Sequence, residues 1–164
     1  MLRGGGGLKR RVHLETTIAS YLTARPSRDL VVAAHQELTS EWWTSHRQRF
    51  DLHISELVLR EAARGDESAA ARRLEELKGI RVLDLDDAAR ELTRLFVQRK
   101  LIPAKVIEDA FHVAVATAQG MDFLLTWNCR HIANAEIVDR LEAVCLELGY
   151  VMPVICTPEQ LMGD

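Results

Sequence analysis

The sequence predicts an α/β fold, a three-layer α/β/α domain with a parallel sheet of about four to five strands. One pattern in the sequence supports this class. Short apolar runs alternate along the chain with stretches of helical periodicity, each about ten to fifteen residues long. Strands that alternate with helices of this length form crossover units, and such units build a parallel sheet with helices on both faces.

Five apolar runs match strands, and polar or turn-forming residues bound each of them. The first run, RVHLE, ends at the carboxylate of Glu15. The last run, PVICT, leads into Thr-Pro-Glu-Gln, which has the cap, first-turn proline and capping-box glutamine of a helix start. The predicted strands are residues 11–15, 50–55, 80–85, 123–127 and 153–157.

Helix boundaries in the first half of the chain carry cap and stop signals. The helix TTIASYL follows the first strand, and Pro26 ends it. Ser27 is predicted to cap the next helix, which carries LVVAAHQELTSEWW. Gly65 stops the short helix ELVLREAARG, and Asp66 is placed to cap ESAAARRLEELKG.

Besides the helix start at Thr-Pro-Glu-Gln, three helices are predicted in the second half of the chain. Asp86 or Asp87 begins the helix AARELTRLFVQRK. Pro103 is suited to the first turn of the helix that contains Asp109, because proline is tolerated there. The stretch NAEIVDRLEAVCLELG follows the fourth strand as a further helix.

Composition limits the remaining possibilities. A chain of 164 residues with 48% hydrophobic residues fits one domain, predicted at 11–164, preceded by a flexible basic and glycine-rich tail at 1–10. The net charge of −3 gives no general positive field for nucleic acid. Three cysteines without a CxxC pair indicate a reducing compartment, and the absence of an apolar membrane-length run predicts a cytoplasmic protein.

Polar side chains follow several predicted strands or begin the helices beside them. In a parallel sheet the functional crevice lies outside the carboxyl ends of the strands. Carboxylate and amide oxygens gathered there suit Mg²⁺ or Mn²⁺, and a cation would offset the repulsion between carboxylates. The residues placed at or beside this crevice are Glu15, Thr16, Thr17, Ser55, Glu61, Asp109, Thr126 and Asn128.

Four segments together resemble the PIN domain, the fold of VapC-type toxin ribonucleases: VHLETTIASYL, SELVLREAARGD, EDAFHVAVATAQGMDFLLTWN and ICTPEQLM. The resemblance extends from about residue 12 to residue 162. It implies a catalytic set that binds Mg²⁺ or Mn²⁺ and cleaves RNA. The matching positions are Glu15, Glu61 and Asp109 as metal ligands, Asn128 as a further catalytic residue, and Thr16 and Thr126 as supporting hydroxyls.

Two positions depart from the usual family pattern. Glu15 and Asn128 both stand where aspartate is common, so one ligand is longer by a methylene and one ligand charge is missing. Each also has an ordinary structural interpretation, Glu15 as a helix cap and Asn128 as a turn or cap residue. Glu56 competes with Glu61 for the same role, but the spacing to ARGD favours Glu61.

The function expected from the resemblance is that of a metal-dependent endoribonuclease, the toxin of a toxin–antitoxin pair. It implies RNA as substrate, a protein antitoxin and a homodimer, with Lys105 and Arg130 placed to hold the RNA backbone. The alternative is a catalytically weakened module that binds nucleic acid or protein. An aspartyl phosphotransferase on a similar sheet would need a nucleophilic aspartate after the first strand. This chain has Glu-Thr-Thr there, which argues against that class of enzyme.

Three other features are interpreted mainly as structural. The Trp42-Trp43 pair is expected to pack in the core or at a dimer contact rather than to stack on bases. His112 lies one turn from Asp109, within reach of the site, but a core or boundary histidine is the commoner case. Cys129-Arg130-His131 lacks the second ligand pair that a zinc site needs.

Overall fold

A single parallel sheet forms the centre of the computed structural model, which describes residues 8–163. Its strands are β1 Arg11–Leu14, β2 Asp51–Ser55, β3 Arg81–Leu83, β4 Phe123–Leu125 and β5 Val154–Cys156. Their order across the sheet is β3-β2-β1-β4-β5, so β1 lies at the centre. The predicted fold class is confirmed, and residues 1–7 of the predicted tail lie outside the described residues.

Seven α-helices connect or follow these strands within residues 8–163. They are α1 Thr16–Thr23, α2 Leu30–Glu41, α3 Glu56–Ala62, α4 Glu67–Leu77, α5 Asp87–Gln98, α6 Ile107–Ala118 and α7 Ala135–Glu147. None of them is long and apolar enough to cross a membrane.

The buried side chains form two clusters, as expected of a sheet with two covered faces. Side chains of α5, α6 and α7 build the first cluster, to which β4 contributes Leu124. Side chains of α1 and of the segment after α2 build the second, to which β4 contributes Leu125. Successive strand residues point to opposite faces, so neighbouring leucines of β4 belong to different clusters.

The predicted helix caps are partly confirmed. Asp66 caps α4 by accepting a hydrogen bond from Ala69 N at 2.8 Å. Asp86 caps α5 in the same way, and the capping box at Thr157 is present. The prediction for Ser27 is wrong: Asp29 caps α2, because its carboxylate accepts from two backbone amides, while Ser27 Oγ accepts from Asp29 N.

The start of α6 also differs from the prediction. Pro103 does not lie in the first turn of this helix; it precedes a short 3-10 turn, Ala104–Val106, and α6 begins at Ile107. Asp109 is therefore in the first turn of α6 rather than further along it. A carboxylate in this position is favoured by the positive end of the helix dipole.

The two tryptophans after α2 belong to the core. Trp42 is fully buried and Trp43 is 6% exposed, both within a single π-helical turn, Trp42–His46. The guanidinium of Arg47 covers the ring of Trp43 at 4.4 Å from its centroid. The core interpretation is confirmed, because a ring that is enclosed in this way is not available for stacking on a base.

All three cysteines are free, and their burial predicts different reactivities. Burial raises the pKa of the Cys145 thiol to about 11 and that of Cys156 to about 12. Thiolate is the reactive form, so Cys145 and Cys156 should be nearly inert at pH 8. Cys129 is exposed and should be the thiol that reacts.

We expect Ellman's reagent to modify one thiol rapidly in the native protein and three in guanidinium. Rapid modification of a second native thiol would contradict this packing.

Candidate active site

Glu15 stands directly after β1 and is held on several sides. Its backbone N–H continues the sheet by donating to Leu125 O at 3.0 Å. Its side chain caps α1 and is buried. Oε2 accepts hydrogen bonds from Thr17 N, from Thr17 Oγ1 and, at 2.8 Å, from Thr126 Oγ1. These bonds fix the carboxylate and leave Oε1 directed toward α6, so Glu15 combines the cap role with a place in the crevice.

Glu61 approaches the same place from the last turn of α3. Its Oε1 accepts a hydrogen bond from Thr16 Oγ1 at 2.7 Å and lies 2.6 Å from Nε2 of His112. The same Nε2 lies 3.9 Å from Oε1 of Glu15. A surface ion pair with Arg64, which the helical spacing of the two residues would allow, is not formed; Arg64 binds Glu108 instead, with two contacts of 2.7 and 2.9 Å.

Ligand atoms of Glu15, Glu61 and His112 all lie within 4.8 Å of one another. Even with a protonated imidazole, the group carries two negative charges against one positive charge in a mostly buried position. Such an excess is unfavourable in a medium of low dielectric constant. Two carboxylates and an imidazole are a donor set that a divalent cation can use, so the three residues fit a metal site.

The pKa shifts of Glu61 and His112 agree with an ion pair between them. Burial would lower the pKa of His112, but the hydrogen bond to Glu61 and the charges of Glu15, Glu61 and Asp109 outweigh burial and raise it. Burial would raise the pKa of Glu61, but the bond and charge of His112 and the bond from Thr16 lower it. A bound cation would have to displace this proton.

Asp109 lies one turn before His112 on α6, but its carboxylate is not part of the group of three. Its Oδ2 lies 3.0 Å from Nδ1 of His131, and both side chains are 18% exposed. The structure thus brings Glu15 and Glu61 together as expected and pairs Asp109 with an imidazole beside them. The reason is that the turn after β4 places His131 within hydrogen-bond distance of this carboxylate.

Hydrogen bonds connect that turn to Glu15. Thr126, which donates to Glu15, accepts from Asn128 N at 2.9 Å. The side-chain oxygen of Asn128 accepts from His131 N at 3.0 Å, so this amide holds the turn. These contacts match the turn interpretation of Asn128, and its catalytic role stays a prediction.

Lys105 and Arg130 are both exposed near these elements. Lys105 lies in the 3-10 turn before α6, and Arg130 lies in the turn between Asn128 and His131. Both are adjacent in sequence to the segments that carry Asp109 and its partner. Their role in holding RNA stays a prediction.

No protein-family model matches the sequence, and no curated protein matches it. Solved structures do match the fold. A chain of VapBC2 from Rickettsia felis, bound to a DNA fragment from their promoter, superposes with a TM-score of 0.58 at 14% identity, over 90% of this chain and 98% of that one. VapC20 from Mycobacterium tuberculosis, a toxin that cleaves the Sarcin-Ricin loop, superposes with a TM-score of 0.56 at 18% identity, over 76% and 95%.

The chain has the PIN-domain, VapC-like fold. The predicted resemblance in fold is confirmed. At these identities the similarity concerns the path of the backbone, so the chemistry of this PIN-like fold has to be judged from its own side chains. Those side chains differ from the predicted all-oxygen set at one point, because an imidazole rather than Asp109 faces the two glutamates.

Two contributors to this site were not assigned from the sequence: His112 and His131. Thr17 was placed at the crevice, and in the structure it holds the carboxylate of Glu15. A signal for His112 was present, because a residue three positions after Asp109 lies on the same side of a helix. His131 had none, because its contact with Asp109 depends on the conformation of a turn 22 residues away in sequence.

Proposed function

We propose that the protein is a metal-dependent endoribonuclease that acts as the toxin of a toxin–antitoxin pair. The observation that carries this proposal is the convergence of Glu15, Glu61 and His112 at the carboxyl end of the central strand. Crevices of parallel sheets open at this end. Buried groups with an excess of negative charge are costly for stability, which favours a functional explanation.

Each residue has a distinct part in this proposal. A divalent cation, when bound, supplies Lewis acidity toward a water molecule and the scissile phosphate. Glu15 holds its position through Thr17 and Thr126, so its Oε1 needs no reorganisation to serve as a ligand. Glu61 is fixed by Thr16 in the same way. Mg²⁺ and Mn²⁺ are the ions we propose, and Asp109 remains a proposed ligand only if it turns away from His131.

Lys105 and Arg130 are proposed to bind the RNA backbone beside the crevice. Both are exposed and cationic, and phosphate contacts from such side chains weaken as salt displaces them. The net charge of −3 makes a local contact of this kind necessary for RNA binding. A cognate antitoxin, a homodimer and a cytoplasmic location complete the proposal, on the basis of the similarity to the VapC fold.

Cleavage of a mixed RNA pool tests the proposed function. We expect the purified protein to shorten the RNA when Mn²⁺ or Mg²⁺ is present and to leave it intact when a chelator is added, because the carboxylates then lack their cation. Gel electrophoresis of the RNA gives the measurement, and restoring excess metal should restore cleavage. RNA that stays intact with both ions across a range of pH would refute the nuclease proposal.

The alternative, a binding module that kept the fold, is favoured by two contacts. Asp109 binds His131 and the oxygen of Asn128 binds His131 N, so two of the oxygens expected at the cation are engaged elsewhere. A module of this kind would bind RNA or protein without cleaving it. Retention of RNA in a filter-binding measurement, with no shortening of the RNA, would support it.

A further inference from the structure

His112 presents one of its two ring nitrogens to the carboxylates. Nε2 lies 2.6 Å from Glu61 and 3.9 Å from Glu15. The other nitrogen, Nδ1, is buried and has no hydrogen-bond partner among residues 8–163. The ring is fully buried and therefore fixed in place. A histidine that binds a metal does so through one neutral ring nitrogen, and Nε2 is the nitrogen in the required position.

The surroundings of His112 do not explain it as an ordinary core residue. The ring of His13 on β1 lies beside it, with the ring centroids 6.1 Å apart, and both nitrogens of His13 also lack partners in the described part of the chain. Buried polar groups without partners reduce stability. An aliphatic side chain in place of His112 would avoid the cost of the unpartnered Nδ1, but it would leave Glu61 and Glu15 without the imidazole that faces them, so the residue is placed to serve the carboxylates.

We propose that His112 is the third protein ligand of this cation, so that a mixed oxygen and nitrogen donor set makes the site prefer Mn²⁺ to Mg²⁺. This inference rests on the proposed function, since it concerns the same cation. Two carboxylates and a neutral imidazole balance the charge of one divalent ion. The set predicted from the sequence, Glu15, Glu61 and Asp109, has three carboxylates, so a divalent cation would leave one negative charge uncompensated.

Ligand chemistry explains the preference. Mg²⁺ is a hard ion that takes oxygen ligands and keeps its waters, whereas imidazole suits first-row transition metals. Mn²⁺ accepts both carboxylate and imidazole. We therefore expect the protein to bind Mn²⁺ at least about tenfold more tightly than Mg²⁺, and His112→Gln to bring the two affinities close together.

Pulsed electron paramagnetic resonance of the Mn²⁺-loaded protein provides a test that does not depend on activity. A directly bound imidazole couples its nitrogen nucleus to the electron spin of Mn²⁺. We expect this coupling in the parent protein, its loss in His112→Gln, and its retention in His131→Gln, which is the matched control. Calorimetric titration with MnCl₂ and MgCl₂ would give the ratio of affinities for the same three proteins.

The outcomes separate this inference from the proposed function. Bound Mn²⁺ without nitrogen coupling in the parent protein would refute the role of His112 and leave the metal site in place. Coupling that is lost in His131→Gln but kept in His112→Gln would show that His131, the partner of Asp109, is the nitrogen ligand. That result would also refute the role of His112. Failure of the parent protein to bind Mn²⁺ would refute this inference, and failure to bind either Mn²⁺ or Mg²⁺ would overturn the proposed function as well. The parent spectrum alone decides the matter if His112→Gln does not fold.

Discussion

Glu15→Gln is expected to slow RNA cleavage by about 100-fold or more while leaving the protein without added metal as stable as the parent, or more stable. Glutamine keeps an oxygen that accepts from Thr17 and Thr126, so the cap of α1 survives. It removes one of two carboxylates that lie close together near His112, which relieves repulsion. Loss of residues that only support a metal ligand costs roughly 10- to 100-fold in affinity or activity, and loss of the ligand itself should cost at least that much.

Two measurements check this prediction. The rate of cleavage of the RNA pool should fall by about 100-fold or more. In thermal unfolding, Mn²⁺ should raise the midpoint temperature of the parent protein but not that of Glu15→Gln. Glu56→Gln is the matched control, because Glu56 is an exposed glutamate at the start of the same helix that carries Glu61. Equal loss of activity in both variants would show that the effect does not come from the site.

Trp42→Ala should have the largest effect on stability. The indole is fully buried among the side chains of the second cluster and stacks on Phe50, with the ring centroids 6.0 Å apart. Removing a buried aromatic side chain costs about 3–5 kcal/mol, through lost transfer energy and the cavity left behind. That is a large part of the roughly 5–15 kcal/mol by which a typical domain is stable.

Urea-induced unfolding followed by circular dichroism would measure this loss. Leu30→Ala serves as the control, because Leu30 is 86% exposed at the start of α2 and its truncation should change stability by less than about 0.5 kcal/mol. If Trp42→Ala unfolded at the same urea concentration as the parent, the packing described for this cluster would be wrong.

Much of the fold was predictable because hydrophobic periodicity and caps are local signals. Alternation of apolar runs and helices predicted the parallel sheet, and Asp66 and Asp86 were recognisable as caps. Ser27 was misassigned because Asp29, two residues later, has the stronger hydrogen-bonding group and accepts from two amides. Pro103 was misassigned because the sequence does not distinguish a 3-10 turn from the first turn of the following helix.

The site was only partly predictable because its contacts are long-range. Glu15 and Glu61 are 46 residues apart, and their meeting follows from topology once the sheet is known. Asp109 is predicted to join them as a ligand, and that role stays a prediction. The sequence did not show the direction of its side chain, because the carboxylate contacts a histidine in a distant turn. His112 was visible in the sequence but was outweighed by the commoner case of a core histidine.

A series of hydrogen bonds connects Glu15 to Thr126, Thr126 to Asn128 and Asn128 to His131. We therefore expect the proposed function to depend on the length of the loop from Thr126 to His131. Surface loops usually tolerate insertions well. Here a single added residue between Thr126 and His131 would separate Asp109 from its imidazole while the sheet stayed intact. We therefore expect substitution of the exposed Cys129 to be tolerated, and insertion of a residue into this loop to be harmful.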